Sequence, residues 1–457
     1  MISCLLSGWR TVTLTLLFSS LLFEIRAENH TSTSSSLQVN QSDLSRVEVY
    51  WDSLRQQILA NGINLEGYHI GGGAEVMNPK FDYMLAELPS QLVRMGMPLK
   101  LWEPENENGN PDEIDIMRFN KSKEVLNTFQ RISLLEKRGV GCWLSVWDVA
   151  NWNVYNPLAT AQRRVINIDE MAESIAAFLL HAREYYGVSP AYVSVNEPSI
   201  AYENGYGGYQ IALTADEQMR LIAKSGSLFQ KYGLTTQWVI ALHKIHPSEI
   251  DQAKLIFDSP AAKPFVAGFD FHGYFMHTPE SREMLKSWYE WANQTGLFTL
   301  CGECDYDNQF WLSPQRRSWN DAPKIYGQLL HNLLTIGGVN GVLPWYGYTP
   351  FDLNPFRFVS KHFMTAFPAG AQRVEAESGN PDILVTAAVL HKKPRFVLQN
   401  LSANPIEVEV GRLAGGTYQW ISSQAEAFYR ENAPVKSVNG VIRVVLPPNS
   451  LHTFSLL

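Results

Sequence analysis

Tyr192-Val193-Ser194-Val195-Asn196-Glu197-Pro198 is the stretch on which the reading of this 457-residue chain turns. Val193 and Val195, β-branched and two apart, give it strand character. Pro198 has no N–H to lend to a sheet, so the strand stops directly after Glu197. A carboxylate at the C-terminal tip of a parallel strand lies where (β/α)8 barrels assemble their active sites. Asn196 and Glu197 acting only as caps for the following loop is the plain alternative for so short a motif, and the rest of the chain has to discriminate.

Outward from that strand, apolar segments with strand character alternate with helical ones, the pattern of an α/β protein with parallel strands. Strands are expected near 63–70, 91–101, 141–147, in the opening stretch, and near 236–242, 265–271, 297–303 and 341–345. Helical spacing of apolar residues marks 121–138, 169–186, 279–293, 322–336 and 356–367. Thr214 followed three residues on by Glu217 is a capping box that opens a further helix. Residues 47–60 read as an amphipathic helix or as a strand running into one. The run Gly71-Gly72-Gly73 lacks the Lys-Ser/Thr of a phosphate loop and the spaced glycines of a dinucleotide site, so it reads as a close backbone approach to a ligand. Eight strands with intervening helices imply a closed (β/α)8 TIM barrel. From Pro368 onward short alternating runs (383–390, 395–398, 406–410, 441–446) are separated by turn residues and predict a C-terminal antiparallel β-sandwich. The chain therefore divides into 1–27, 28–50 as a lead-in, 51–367 as the barrel and 368–457 as the sandwich domain.

Residues 1–27 carry their own signal. After Arg10 an uncharged, largely apolar run from Thr11 to Phe23 precedes Ile25-Arg26-Ala27, the pattern of a secretory signal peptide. A membrane anchor competes with that reading, but the run is short of the ~20 residues that span a bilayer. Asn29, Asn40, Asn120, Asn293 and Asn400 each open an Asn-X-Ser/Thr sequon, which suits a secreted, extracellular glycoprotein. Lys plus Arg number 37 against 45 Asp plus Glu, a net charge of -8 that argues against polyanionic partners, and no basic patch marks a nucleic-acid site. Cys142, Cys301 and Cys304 are too few for a disulfide framework, though one bridge is open to them. No second cysteine pair or histidine pair completes four ligands around Cys301 and Cys304, so neither a metal nor another cofactor is expected.

A glycosidase needs two carboxyl groups flanking the bond it breaks. Glu303 ends the seventh strand as Glu197 ends the fourth, and it is the candidate second carboxylate. Arg94 on the second strand is expected to hold Glu303 ionised, and Tyr274, two residues after His272, to orient it. Each has a structural alternative, an Arg that satisfies a buried carboxylate or a His-Gly-Tyr turn.

Taken in order, Arg94, Trp147 and Trp152, Asn196-Glu197-Pro198, His272-Gly273-Tyr274, Glu303 and Trp345 resemble glycoside hydrolase family 30 of clan A. The segment from Phe363 to Val374, with Pro368-Ala369-Gly370-Ala371, resembles that family's junction between barrel and β-domain. The resemblance covers most of the chain after residue 27. It implies a retaining mechanism with Glu197 as acid/base, Glu303 as nucleophile, Asn196 on the sugar 2-hydroxyl and Trp345 as the floor of the subsite beside the nucleophile. Glu303 is further expected to raise the pKa of Glu197 by like-charge repulsion. The chain departs from the family in having Asp148-Val149-Ala150-Asn151, without proline, between its two strand-three tryptophans, and in bracketing Glu303 with Cys301 and Cys304. The expected activity is a secreted retaining β-glycosidase acting within an extracellular or cell-wall β-glycan (β-1,6-glucan, β-1,6-galactan or xylan). Cleavage of a glucosylceramide-type glycolipid, or carbohydrate binding without turnover, are the alternatives.

Overall fold

A computed structural model of the protein describes residues 44–65, 76, 79–158, 163–198, 211–306, 318–345 and 355–457. The expected signal segment, the run Gly71–Gly73 and the sequons at Asn29 and Asn40 lie outside those residues.

The described strands begin with β1 (Ser45–Gln57), β2 (Gly62–Asn64), β3 (Leu92–Met97), β4 (Gly141–Val146), β5 (Arg163–Arg164), β6 (Tyr192–Val195), β7 (Ile211–Ala212), β8 (Gln237–Leu242), β9 (Val266–His272), β10 (Phe298–Cys304) and β11 (Val342–Pro344). Eight of them form one parallel sheet in the order β2-β3-β4-β6-β8-β9-β10-β11, the sequential order of a (β/α)8 barrel. Side chains close the seam between its ends. Asn61 Oδ1 accepts from the Val342 N–H at 3.0 Å, and Asn64 Nδ2 donates to the Leu343 carbonyl at 3.1 Å.

Alternation along each strand separates two apolar layers. Leu92, Trp143, Val239, Leu300 and Leu343 pack together in the lumen with Ala60. Their neighbours Val93, Cys142, Leu144, Val193, Ile240, Phe269 and Cys301 belong to the larger core between strands and helices. The helices that periodicity predicts are present, but Pro79–Glu87 and Pro247–Asp258 are additional to those expected, and Leu99–Trp102 is a helical turn where the second strand is expected to continue to 101. Ile168–Tyr186 is capped by Asn167 and ended by Gly187 at a φ of 66°, a left-handed stop that glycine adopts without a Cβ clash. Ala215–Tyr232 opens on the Thr214/Glu217 capping box. Among the described residues no helix is long and apolar enough to cross a membrane.

The second sheet contains β1 together with β12 (Gln372–Ser378), β13 (Ile383–Leu390), β14 (Lys393–Asn400), β15 (Ile406–Gly411), β16 (Gly416–Gln424), β17 (Ala427–Ser437), β18 (Ile442–Leu446) and β19 (Ser450–Leu456). Its order is β17-β16-β19-β14-β13-β12-β1-β15-β18. Residues from β1 and from seven of the later strands share one core, including Val47, Val374, Phe396, Val410, Tyr418, Ile442 and Phe454, so the sheet wraps around it.

Two expectations change here. Residues 45–50 are neither lead-in nor helix. They are the first half of a strand that pairs antiparallel with β12 and parallel with β15, which makes the β-domain discontinuous in sequence and its sheet mixed. The burial of Val47 and Val49 between exposed or half-buried neighbours is the period-two signal of a strand. Asn400 is also no glycosylation site in the folded chain. It is fully buried, and its amide nitrogen donates to the carbonyls of Asn404, Leu446 and Pro447 at 2.8, 3.0 and 2.9 Å. Cys142, Cys301 and Cys304 are buried free thiols, and no bridge joins them.

Candidate active site

The site is assembled from residues that leave the sheet at its C-terminal edge. On β3, Leu92 points into the lumen, and so does Arg94 two residues later. Its guanidinium is 1% exposed and forks among four partners. Nη1 donates to Glu303 Oε2 and to Asn64 Oδ1, each at 3.0 Å, and Nη2 donates to Asn196 Oδ1 and, at 3.4 Å, to Ser145 Oγ. Below it Trp143 donates its indole N–H to Ser194 Oγ at 3.0 Å. The Arg94 carbon also stands 5.3 Å over the Trp143 ring and 5.6 Å over that of Trp147. A buried guanidinium held by a carboxylate and three neutral acceptors cannot turn away, so it fixes its partners.

Strand alternation alone would not bring either glutamate to this place. On β6, Val193 and Val195 face the helices, so Ser194 and Asn196 face the lumen and Glu197 would follow the valines. Glu197 instead takes a φ of 43°, a left-handed conformation that costs a non-glycine residue about 1–2 kcal/mol and swings its side chain back over the lumen. On β10, Leu300 faces in and Cys301 out, which would leave Glu303 outside. The pairing of β10 with β9 shifts register between Cys301 and Glu303, and the irregularity turns Glu303 inward beside His272. Gly302 is required within it, because a Cβ there would lie 2.3 Å from Asp270 Oδ1 and 2.5 Å from Trp143.

The two carboxyl groups meet across one imidazole. His272, at the end of β9 and 3% exposed, has Nδ1 3.0 Å from Glu197 Oε1 and Nε2 3.3 Å from Glu303 Oε2. Tyr274 donates its hydroxyl to Glu303 Oε1 at 3.1 Å. Asn196 Nδ2 lies 3.3 Å from Glu197 Oε2. His243, the residue after β8, places Nδ1 2.5 Å from Glu197 Oε1, while Glu249 Oε2 accepts from the backbone N–H of His243 at 2.7 Å and holds the turn.

Electrostatics here overturn one expectation. Burial pushes the Glu197 carboxyl up, yet the charge and hydrogen bonding of His272 and His243 outweigh it and hold Glu197 below the usual carboxylate range. The two imidazoles, and not like-charge repulsion from Glu303, set the direction of its shift. Burial likewise works against a His272 imidazolium, but Glu303 and Glu197 on its two sides raise it above its ordinary value. Asp270, fully buried beneath them with the Gly302 N–H on Oδ1 at 2.6 Å, is pushed up to about 6 by that burial.

Arg94, Asn196, Glu197, His272, Tyr274 and Glu303 thus form one connected cluster. Trp147 lies against Arg94 and meets Trp345 with ring centroids 5.7 Å apart. Trp152 is placed on the Glu103 carbonyl, to which its indole N–H donates at 2.9 Å. The proline-free segment between the tryptophans is an anchor: Asp148 pairs with Arg163 and, at 3.0 Å, with Lys100, and Asn151 accepts from Arg163 at 2.9 Å. Sequence reasoning missed Asn64, Ser145, His243 and Asp270. All four sit at or near strand ends, and His243 directly follows the fifth expected strand, so its position was the available signal.

No family model matches the sequence, and no curated protein does. Solved structures match in fold. A glycoside hydrolase family 30 endoxylanase from Clostridium papyrosolvens C71 has a TM-score of 0.70 at 15% identity, covering 90% of this chain and 100% of that one. The endo-β1,6-glucanase BT3312 has a TM-score of 0.64 at 14% identity, covering 92% and 94%. A family 44 xyloglucanase from Paenibacillus polymyxa has a TM-score of 0.56 at 11% identity, covering 91% and 99%. The chain shares with these proteins a (β/α)8 barrel joined to a β-rich domain. Identities this low carry the fold and no further.

Proposed function

We propose that this protein is a retaining β-glycosidase, most like glycoside hydrolase family 30, that cleaves within an extracellular or cell-wall β-glycan after secretion. The observation that carries the reading is the pair Glu197 and Glu303 on either side of the His272 ring, at 3.0 and 3.3 Å from its nitrogens. Two carboxyl groups that share one imidazole on the functional face of a barrel support a two-carboxylate glycosidase, and the retaining course, which needs roughly 5–5.5 Å between them, is the one assigned here. The endoxylanase and endo-glucanase among the structural neighbours support a β-linked glycan as the substrate class.

In the proposed reaction Glu303 attacks the anomeric carbon as the bond to the leaving oxygen breaks, and Glu197 gives that oxygen its proton. A glycosyl ester on Glu303 results. Glu197 then takes a proton from water, whose oxygen attacks the same carbon and releases Glu303 with the configuration retained. Arg94 and Tyr274 hold Glu303 in line for attack. In the free protein His243 and His272 favour ionised Glu197, so the proton for departure is shared within the Glu197–histidine group, and bound substrate must bring it to the carboxyl. Asn196 is assigned to the sugar 2-hydroxyl and the Trp147–Trp345 pair to a sugar face, where aromatic rings suit apolar C–H surfaces.

Purified protein on β-1,6-glucan, β-1,6-galactan, xylan, glucosylceramide and aryl β-glycosides tests this. Products that keep the β configuration, lost in Glu303→Ala, are expected. Tight glycan binding without product would replace the enzyme reading with a carbohydrate-binding one, and product from glucosylceramide alone would move the substrate to glycolipid.

A further inference from the structure

His243 and His272 come from different strands, yet both direct Nδ1 at one carboxylate oxygen, Glu197 Oε1, at 2.5 and 3.0 Å. Among the described residues one donor atom each from Glu197, His243 and His272 can be chosen so that all lie within 4.8 Å of one another. Two imidazoles and a carboxylate are the donor set of a three-ligand zinc site, and here His243 and Glu197 keep 14% and 10% of their side-chain surface exposed.

We propose that Glu197, His243 and His272 form a binding site for one borderline divalent cation such as Zn2+ or Cu2+, and that occupancy switches off the acid/base carboxyl. Three observations support it beyond the donor count. His272 Nδ1 is buried and faces Glu197 Oε1 at 3.0 Å, so it is aimed into the site rather than away from it. Its other nitrogen lies 3.3 Å from Glu303, the carboxylate–histidine arrangement that fixes the tautomer and orientation of metal-binding imidazoles. The turn carrying His243 is itself held by Glu249, on the backbone N–H groups of His243 and Lys244 at 2.7 and 3.3 Å. Bonds of about 2.0–2.2 Å put donor atoms of a tetrahedral site roughly 3.3 Å apart, so Glu197 has to withdraw by less than about 1 Å, and donor atoms of the set that now stand up to 4.8 Å apart have to close by up to about 1.5 Å, to admit the ion. Imidazole donors select Zn2+, Cu2+ or Ni2+ over Mg2+ and Ca2+. On binding, the cation takes the place of the protons between Glu197 Oε1 and the Nδ1 atoms of His243 and His272, which leave to solvent, while His272 keeps its Nε2 proton toward Glu303.

The binding stands on the geometry alone, whereas the inhibition rests on the glycosidase reading. Calorimetric titration of the full chain with Zn2+, and with Co2+ followed by its visible absorption, separates the two. One ion per chain is expected, with binding lost in His243→Gln and in His272→Gln, unchanged in His246→Ala, and weakened about 10- to 100-fold in Glu303→Gln, which removes the partner charge on His272. Thermal unfolding of each variant checks that it is folded. The double variant Cys301→Ala/Cys304→Ala must still bind, since loss there would put the ion on the thiols and overturn the site. Zn2+ binding that survives both histidine substitutions, or no binding at millimolar Zn2+, also overturns it. With glycan substrate, saturating Zn2+ should cut hydrolysis by about 100-fold or more, the scale of losing a general acid. One bound Zn2+ in a protein that hydrolyses no glycan upholds the site and removes the glycosidase reading. Undiminished hydrolysis with that ion bound overturns the switch.

Discussion

His243 Nδ1 lies 2.5 Å from Glu197 Oε1, so the carboxyl that ends β6 is held by an imidazole presented from the end of β8. Because that contact adds to His272 in lowering the Glu197 pKa, the protonated carboxyl that the proposed reaction requires is confined to a lower pH. His243→Ala should therefore move the alkaline limb of the kcat/KM profile to higher pH, because burial is then opposed by His272 alone. The sign for stability is the converse. A depressed carboxyl stabilises the fold above its unfolded pKa and loses that contribution as pH falls through the folded value, so the variant should be less sensitive to acid unfolding. An alkaline limb that stays in place or moves down would remove His243 from this role.

The two glutamates should differ in how they depend on the leaving group. Glu197→Ala is expected to lose about 100- to 10,000-fold on a natural glycan, the scale of general acid catalysis. With an activated aryl leaving group, bond cleavage should persist and the glycosyl-enzyme should accumulate. Glu303→Ala should fail on both. Pre-steady-state kinetics with protein mass analysis reads this, and a burst from Glu303→Ala without an adduct on Glu197→Ala would exchange the roles.

Arg94 and Glu303 form an ion pair whose side chains are 1% and 9% exposed. Arg94→Met removes the guanidinium charge from Glu303 Oε2 and the Nη2 donor from Asn196 Oδ1, and should cost about 3–5 kcal/mol in urea unfolding, the range for breaking a buried pair from one side. Adding Glu303→Gln should restore a large part of it. Additive losses in that cycle would mean the pair is uncoupled.

Gly302→Ala tests the irregularity in β10. The added methyl meets Asp270 and Trp143 at less than 3 Å, so about 1–3 kcal/mol of stability should be lost to overpacking. Glu303 is the next residue, so activity should fall further than stability does. A variant with full activity would show that the register shift does not set the position of Glu303.

Away from the site, Glu103, Glu107, Glu170 and Glu173 are all at least nine-tenths buried. Burial pushes Glu103 to about 8, and burial with the nearby Glu107 and Glu170 carboxyls pushes Glu173 to about 11. Two carboxyl groups bond only while one keeps its proton. A raised folded pKa gives stability that is complete below the unfolded value and lost as pH rises through the folded one, so the melting temperature should fall from about pH 5 to pH 8. Glu173→Gln should flatten that slope and gain about 1–3 kcal/mol at pH 8. An unchanged slope would show that the cluster does not titrate in this range.

The sequence by itself determined the barrel and the carboxylates that stand at its mouth. Period-two runs such as Val193/Val195, each broken by a polar or proline residue, specify short parallel strands, and Glu197 and Glu303 fall at their ends because local pattern alone sets where a strand stops. Tertiary structure decided which way those residues face. A positive φ at Glu197 and a register shift before Glu303 reverse the side that alternation assigns to each, and both are backbone distortions that persist only because packing around them sustains them. Contact across distant strands decided the rest. His243 reaches Glu197, Asn64 joins β2 to β11 and β1 completes a sheet built from the far end of the chain, and all three depend on closure bringing together segments whose separation in sequence carries no local signal.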